Sequence, residues 1–185
     1  MPPLPAAALL CCVLLAKPGP AVADQPLPPD VVSVLSRTAI VVADLEASKR
    51  FYSWALGYEV SFDGDITRPE VVAQLQLAPG QRAWFTVLRS SSVIEGVRRD
   101  GAMIGLLSIT DPAPPVMRRP AGHDLAIGEA MLAVRTTDIA TVRERLGELG
   151  ARILLEPMRS ADGSQTELVV HDPDGIRIHV VQRSD

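Results

Sequence analysis

Residues 37–42 read Arg-Thr-Ala-Ile-Val-Val, an apolar, β-branched run that predicts a strand and ends just before Asp44. Asp44 suits a helix N-cap, where a carboxylate accepts from the orphan N–H groups of the first turn. A helical pattern over Leu45–Leu56 follows, closed by Gly57, the residue type most easily placed in the left-handed helix cap. Phe51 and Tyr52 on this helix are most simply core residues against a sheet. A short strand is expected around Tyr58–Phe62, a helical turn at Pro69–Leu77, and strands at Arg82–Arg89 and Ala102–Thr110. The run Arg89-Ser90-Ser91-Ser92 reads as a loop.

The same order then returns with shorter joints. A strand is expected at Ala130–Thr136, a helix at Ile139–Leu149, and strands at Arg152–Pro157, Gln165–His171 and Ile176–Gln182. In this helix Ile139, Val142, Leu146 and Leu149 fall at i, i+3, i+7 and i+10, one face of an α-helix. Asp172-Pro173-Asp174-Gly175 is strong turn chemistry before the last strand. The spacing matches too: Arg37 lies seven positions before Asp44, and Met131 seven before Asp138. The pattern predicts an α+β chain of two βαβββ modules related by internal duplication, 36–111 and 129–183, joined by a Pro/Gly-punctuated linker at 112–128.

The N-terminus lies outside this pattern. Leu9–Ala16 is a short apolar core, too short to span a bilayer, and Ala21-Val22-Ala23 is a small-residue cleavage pattern before Asp24. Residues 1–23 therefore read as a cleaved signal peptide and 24–35 as a Pro-rich lead-in, placing the mature protein in the periplasm or outside the cell. Lipid anchoring at Cys11 or Cys12 stays open, although the bulky Leu10 before them argues against it. Both cysteines fall in this segment, so the expected mature chain has no disulfide, thiolate ligand or cysteine nucleophile. Removing Lys17 leaves 17 basic residues against 22 acidic ones, and no Lys/Arg cluster exceeds the pairs Arg98-Arg99 and Arg118-Arg119. Nucleic acid is an unsuitable partner for such a chain, and after cleavage nothing calls for a membrane.

The strand, Asp-Leu-Glu-Ala-Ser, a helix with Phe-Tyr and then Leu-Gly-Tyr resemble the opening of the vicinal oxygen chelate superfamily, which includes glyoxalase I, extradiol dioxygenases and bleomycin-resistance proteins. The closing stretch from His171 to His179, with its DPDG turn, is similar to the family's last turn and strand. The resemblance implies two curled mixed sheets, one per module, that enclose one small-molecule cavity, within a chain or across a homodimer. It also implies metal-ligand positions on the first and last strand of each module. Those positions hold Arg37 and Gly105 in the first module, Met131 and His179 in the second. A guanidinium has no lone pair to offer and repels a cation, and one imidazole does not hold a divalent ion alone. The expectation is a protein with no metal and no cofactor; a rearranged site using His171 or Glu167 would need new geometry.

Strand parity indicates what the same positions do instead, because alternate residues share a face. The inferred cavity wall carries Arg37, Met131, Arg135, Arg177 and His179, a set suited to a carboxylate, phosphate or enolate-bearing ligand with an apolar body. Plainer readings stand beside this one. The three arginines can form structural ion pairs with Glu129, Glu156 or Glu167, His179 can be a core or rim histidine, and His171 a local hydrogen-bonder. His123 reads as exposed in the linker, and Trp84 as lining either the cavity or the module interface. Three functions remain open: a metal-free binding protein, an enzyme of lyase, isomerase, dioxygenase or glyoxalase-like type with an altered site, and a structural subunit with a filled cavity. Missing ligands and export away from cytosolic glutathione count against the glyoxalase version. There is no Gly-rich phosphate loop, G-x-S-x-G or H-E-x-x-H.

Overall fold

A computed structural model describes residues 35–94, 97–100, 103–117 and 125–184, of which 91–100 as backbone only. The expected signal peptide, His123 and Arg118-Arg119 lie outside the described residues. The first module begins with β1 (Arg37–Val41) and α1 (Leu45–Lys49), which widens into a π-helical segment (Arg50–Ala55). Then come β2 (Glu59–Asp65), the short α2 (Pro69–Gln74) and β3 (Arg82–Arg89). Next is a hairpin of β4 (Ser91–Ile94) and β5 (Val97–Asp100), and β6 (Met103–Thr110) completes the module. The hairpin corrects the loop expected at residues 89–92. Arg89 still belongs to β3, and Ser91 and Ser92 pair with Asp100 and Arg99, in strands that also hold the β-branched Val93, Ile94 and Val97.

The second module contains β7 (Met131–Arg135), α3 (Ile139–Glu148), β8 (Ile153–Arg159), β9 (Gln165–His171) and β10 (Arg177–Arg183). The two sheets have matching orders, β1-β6-β3-β2 and β7-β10-β9-β8. In each, the first and last long strands pair in parallel and the remaining pairs are antiparallel. Asp44 and Asp138 cap their helices, accepting from the N–H of Ala47 and of Thr141. Gly57 and Gly150 end them at φ of 78° and 65°, a region costly for any residue with a Cβ.

One core joins the modules. Ile40, Ile104, Leu106 and Leu88 from the first sheet and Leu168, Val170, Ile178 and Val180 from the second share a single buried cluster with Phe51, Tyr52, Val142 and Leu146 of the helices. The π segment and α3 touch each other, so the helices lie back to back with a sheet behind each. The opposite sheet faces, turned away from the helices, are not closed into a barrel. No described helix is long and apolar enough to cross a membrane.

A polar latch pins the modules in register. The Tyr52 hydroxyl, fully buried, donates to Asp172 Oδ2 at 2.8 Å, and Asp172 Oδ1 accepts from the N–H groups of Ile176 and Asp174. Asp174 in turn accepts from the Ala43 N–H at 2.9 Å and from the Ser48 hydroxyl. The turn of the second module is thus bonded to the β1–α1 junction of the first. Burial pushes the Asp172 carboxyl above its ordinary value, against the opposing pull of the Tyr52 and backbone donors, and burial beside Asp172 pushes the Tyr52 phenol up.

Tyr52→Phe should lower unfolding stability by about 1–3 kcal/mol, because it leaves a buried acceptor without its side-chain donor; urea denaturation at neutral pH measures this. A second expectation follows from Asp172. Its folded-state pKa lies above 3.8, so the folded protein holds this proton more tightly than the unfolded chain. That contribution is present at low pH and is lost as pH rises through the raised value. Relative to Asp172→Asn, the wild type should therefore lose stability across that interval, and parallel stability–pH curves would contradict the assignment.

Candidate functional site

The faces turned away from the helices hold the residues singled out by strand parity. On the second sheet, cross-strand register puts Arg177 opposite Met131 on one side and His171 on the other. His179 stands between Ala133 and Val169, and Val181 between Arg135 and Glu167. Met131, Arg135, Arg177 and His179 therefore share one sheet face, gathered by β7 and β10. His179 Nε2 lies 3.3 Å from Glu167 Oε2, close enough for an ion pair when the imidazole is protonated, and Gln165 Nε2 steadies the same carboxylate at 2.6 Å. His179 is partly buried between Ala133 and Val169, with its Nε2 shielded from solvent on the side of Glu167.

Arg37 lies on the corresponding face of the first sheet, on β1 opposite Met103. This wall is otherwise largely apolar, with Ala39, Val41, Leu107, Val87, Phe85 and Phe62 in register on it and Arg89 opposite Glu59 at its end. The Arg37 guanidinium carbon sits 5.1 Å from the centroid of the Phe85 ring, a cation–π contact. Among the described residues it has no carboxylate partner. The single chain thus presents two separate walls, one apolar with Arg37 and one polar and cationic, rather than one enclosed cavity lined by both. Two hollows, of about 440 and 350 Å³, lie elsewhere, at the seam between the helices, and touch none of the five residues.

The geometry also tests whether these positions fit a metal. Gly105 is paired with Ala39 as His179 is with Ala133, so the two last-strand positions are equivalent in register. The Phe85 ring lies directly over Gly105: a Cβ there would come within 2.5 Å of Phe85 Cζ and 3.4 Å of Arg37 Cδ. A ligating side chain at this position would have to displace the ring. A guanidinium beside an aromatic ring on the first sheet, and a thioether near one imidazole on the second, do not fit a divalent cation. Among the described residues no three His, Cys, Asp or Glu side chains cluster as a metal site.

Glu156 is taken by Arg143 in a bidentate pair at 2.7 and 2.8 Å, and Glu167 faces His179. His171 is buried at the end of β9, its backbone N–H donating to Arg152 O. Trp84 corrects both expectations for it. Its indole lies at the outer end of the first sheet, donating to Asp63 Oδ1 at 2.6 Å beside Thr86 and Lys49, because parity puts it on the face of Thr86. Phe85 and the Tyr52–Asp172 latch went unread from the sequence. A glycine inside a strand marks a close approach, so Gly105 carried the signal for Phe85.

A family model, Glyoxalase/Bleomycin resistance protein/Dioxygenase superfamily, matches residues 34–180. Among solved structures the chain is similar to a glyoxalase family protein from Bacillus cereus (17% identity, TM-score 0.68), covering 89% of this chain and 100% of that one. It is also similar to glyoxalase I from Zea mays (18% identity, TM-score 0.53), covering 82% of this chain and 45% of that one. The chain thus spans less than half the length of the maize protein. No curated protein matches it in sequence.

Gly105→Ala should destabilise the fold by about 1 kcal/mol, near the low end of overpacking costs because the Phe85 ring is half-buried and can tilt aside. Phe85→Leu in the same chain should recover most of that loss. A thermal-denaturation cycle over the two single variants and the double variant reads the coupling, and simple additivity would refute the contact.

Proposed function

Because the chain belongs to the glyoxalase/bleomycin resistance protein/dioxygenase superfamily, we propose that it is an exported, metal-free member that binds a small anionic molecule with an apolar body. The observation that carries this reading is the substitution pattern at the four ligand positions. Arg37 (held over Phe85), Gly105 and Met131 stand at three of them in place of ligands, and His179 at the fourth shares its sheet face with Arg135 and Arg177, groups that attract anions. Arg37 is exposed in the single chain; once a second protomer covers it, its guanidinium favours a carboxylate or phosphate through charge-assisted hydrogen bonds. The apolar wall of the first sheet, with Val41, Leu107 and Phe62, suits the remainder of the ligand. Export rests on the apolar core and Ala21-Val22-Ala23 of the N-terminal segment.

A second copy completes the cavity in this proposal. Val41, Phe62, Met131 and Met158 are each about half exposed on a chain that leaves both sheet faces open. A two-fold arrangement that sets the first sheet of one protomer against the second sheet of the other would bring the walls together twice, as closed symmetry requires. A second reading, an enzyme such as a lyase, isomerase or dioxygenase with altered groups, draws on the His179–Glu167 pair. A carboxylate behind an imidazole orients it for proton transfer.

Native mass spectrometry of the protein recovered from the envelope fraction tests the whole proposal. Expected are a dimer mass, chains beginning at Asp24, and no stoichiometric divalent ion; one tightly held metal per chain would overturn the metal-free reading. Binding of anilinonaphthalene sulfonate, an amphipathic anion, should weaken by roughly 2–5 kcal/mol in Arg37→Ala. Unchanged affinity in that variant would remove Arg37 from the site.

A further inference from the structure

We infer that the seam between the modules is a second small-molecule site, suited to a small anion with a flat apolar group. It lies on the helix side, away from both sheet faces, and stands independently of the function proposed above. The hollow of about 440 Å³ is within the size range of small-molecule sites, roughly 300–1,000 Å³. It adjoins the hollow of about 350 Å³ beside Trp54, sharing Arg50, Glu148 and Leu149 with it.

Its lining comes from both modules. Arg50 opens the π-helical segment of the first, and Arg152 stands just before β8 of the second. Both guanidiniums line the same hollow, and neither makes an ion pair or a side-chain hydrogen bond among the described residues. Two like charges facing one hollow repel, and an anion between them converts that repulsion into two charge-assisted contacts. Phe51, buried, and Leu149 supply apolar surface beside them. Glu148, at the end of α3, is the exposed carboxylate of the lining. Asp172 also borders the hollow, but its oxygens are taken by Tyr52 and the turn N–H groups, so the two guanidiniums face the hollow against one exposed carboxylate, which favours a small anion. Tryptophan occurs at only two positions, 54 and 84, so Trp54 at the rim is a usable optical reporter.

The test is a titration of the full protein with benzoate, one carboxylate on one ring, followed by backbone NMR and by Trp54 fluorescence in a Trp84→Phe background. Millimolar affinity is the scale for such a probe, about −4 kcal/mol. Benzoate should shift the amides of Gly150, Ala151 and Arg152 and change Trp54 emission. Benzyl alcohol, the uncharged ring, should bind about tenfold more weakly. The double variant Arg50→Gln/Arg152→Gln should lose the response while keeping its thermal midpoint, and Glu148→Gln should bind several-fold more tightly. Arg37→Ala should leave the response unchanged, which separates this site from the sheet-face site. Equal binding of benzyl alcohol, an unaltered response in the double variant, no response to benzoate, or shifts abolished by Arg37→Ala would each overturn the proposal.

Discussion

Everything in this molecule is arranged around one buried hydrogen bond, from the Tyr52 hydroxyl to the Asp172 carboxylate. An apolar seam between two similar helices would tolerate sliding, because hydrophobic burial is non-directional. A buried phenol and a buried carboxylate do not, since each is costly without its partner. The latch is also one-sided. Eight residues after its helix cap the first module has Tyr52, whereas the second has Leu146, also fully buried. Two modules of matching strand order are thereby given distinct roles at their seam, and a single orientation is specified.

That orientation decides where chemistry is placed. Once the helices are packed back to back, the sheet faces carrying Arg37 and His179 look away from the shared core. Each wall keeps a character that one chain does not combine: largely apolar around Arg37 on the first sheet, cationic with small residues on the second. The seam itself then becomes a further surface, because Arg50 and Arg152 are brought to it from opposite modules by the same packing.

Much of the fold was legible in the sequence because short-range chemistry writes it there. Asp44 and Asp138 cap helices where expected, Gly57 and Gly150 close them, and the periodic Ile139, Val142 and Leu146 are buried. The β4–β5 hairpin was not legible, since Ser91-Ser92 gives a weak strand signal and pairing is settled by the partner strand. For the site, parity put Met131, Arg135, Arg177 and His179 on one face, since alternation needs only a register. It did not reveal Phe85 over Gly105 or the Tyr52–Asp172 bond, which join residues 20 and 120 positions apart. Such contacts depend on how strands and modules are stacked, and no local pattern encodes that.

The Phe85 ring over Gly105 has a consequence for the redesign of this scaffold. A ligating side chain at position 105 collides with the ring, while shortening residue 85 alone strips Arg37 of its aromatic seat. Intermediates on a mutational path toward a ligating side chain at position 105 are therefore disfavoured whichever step comes first. The glycine and the phenylalanine constrain each other, and an engineer installing a ligating side chain at position 105 would have to exchange positions 37, 85 and 105 together.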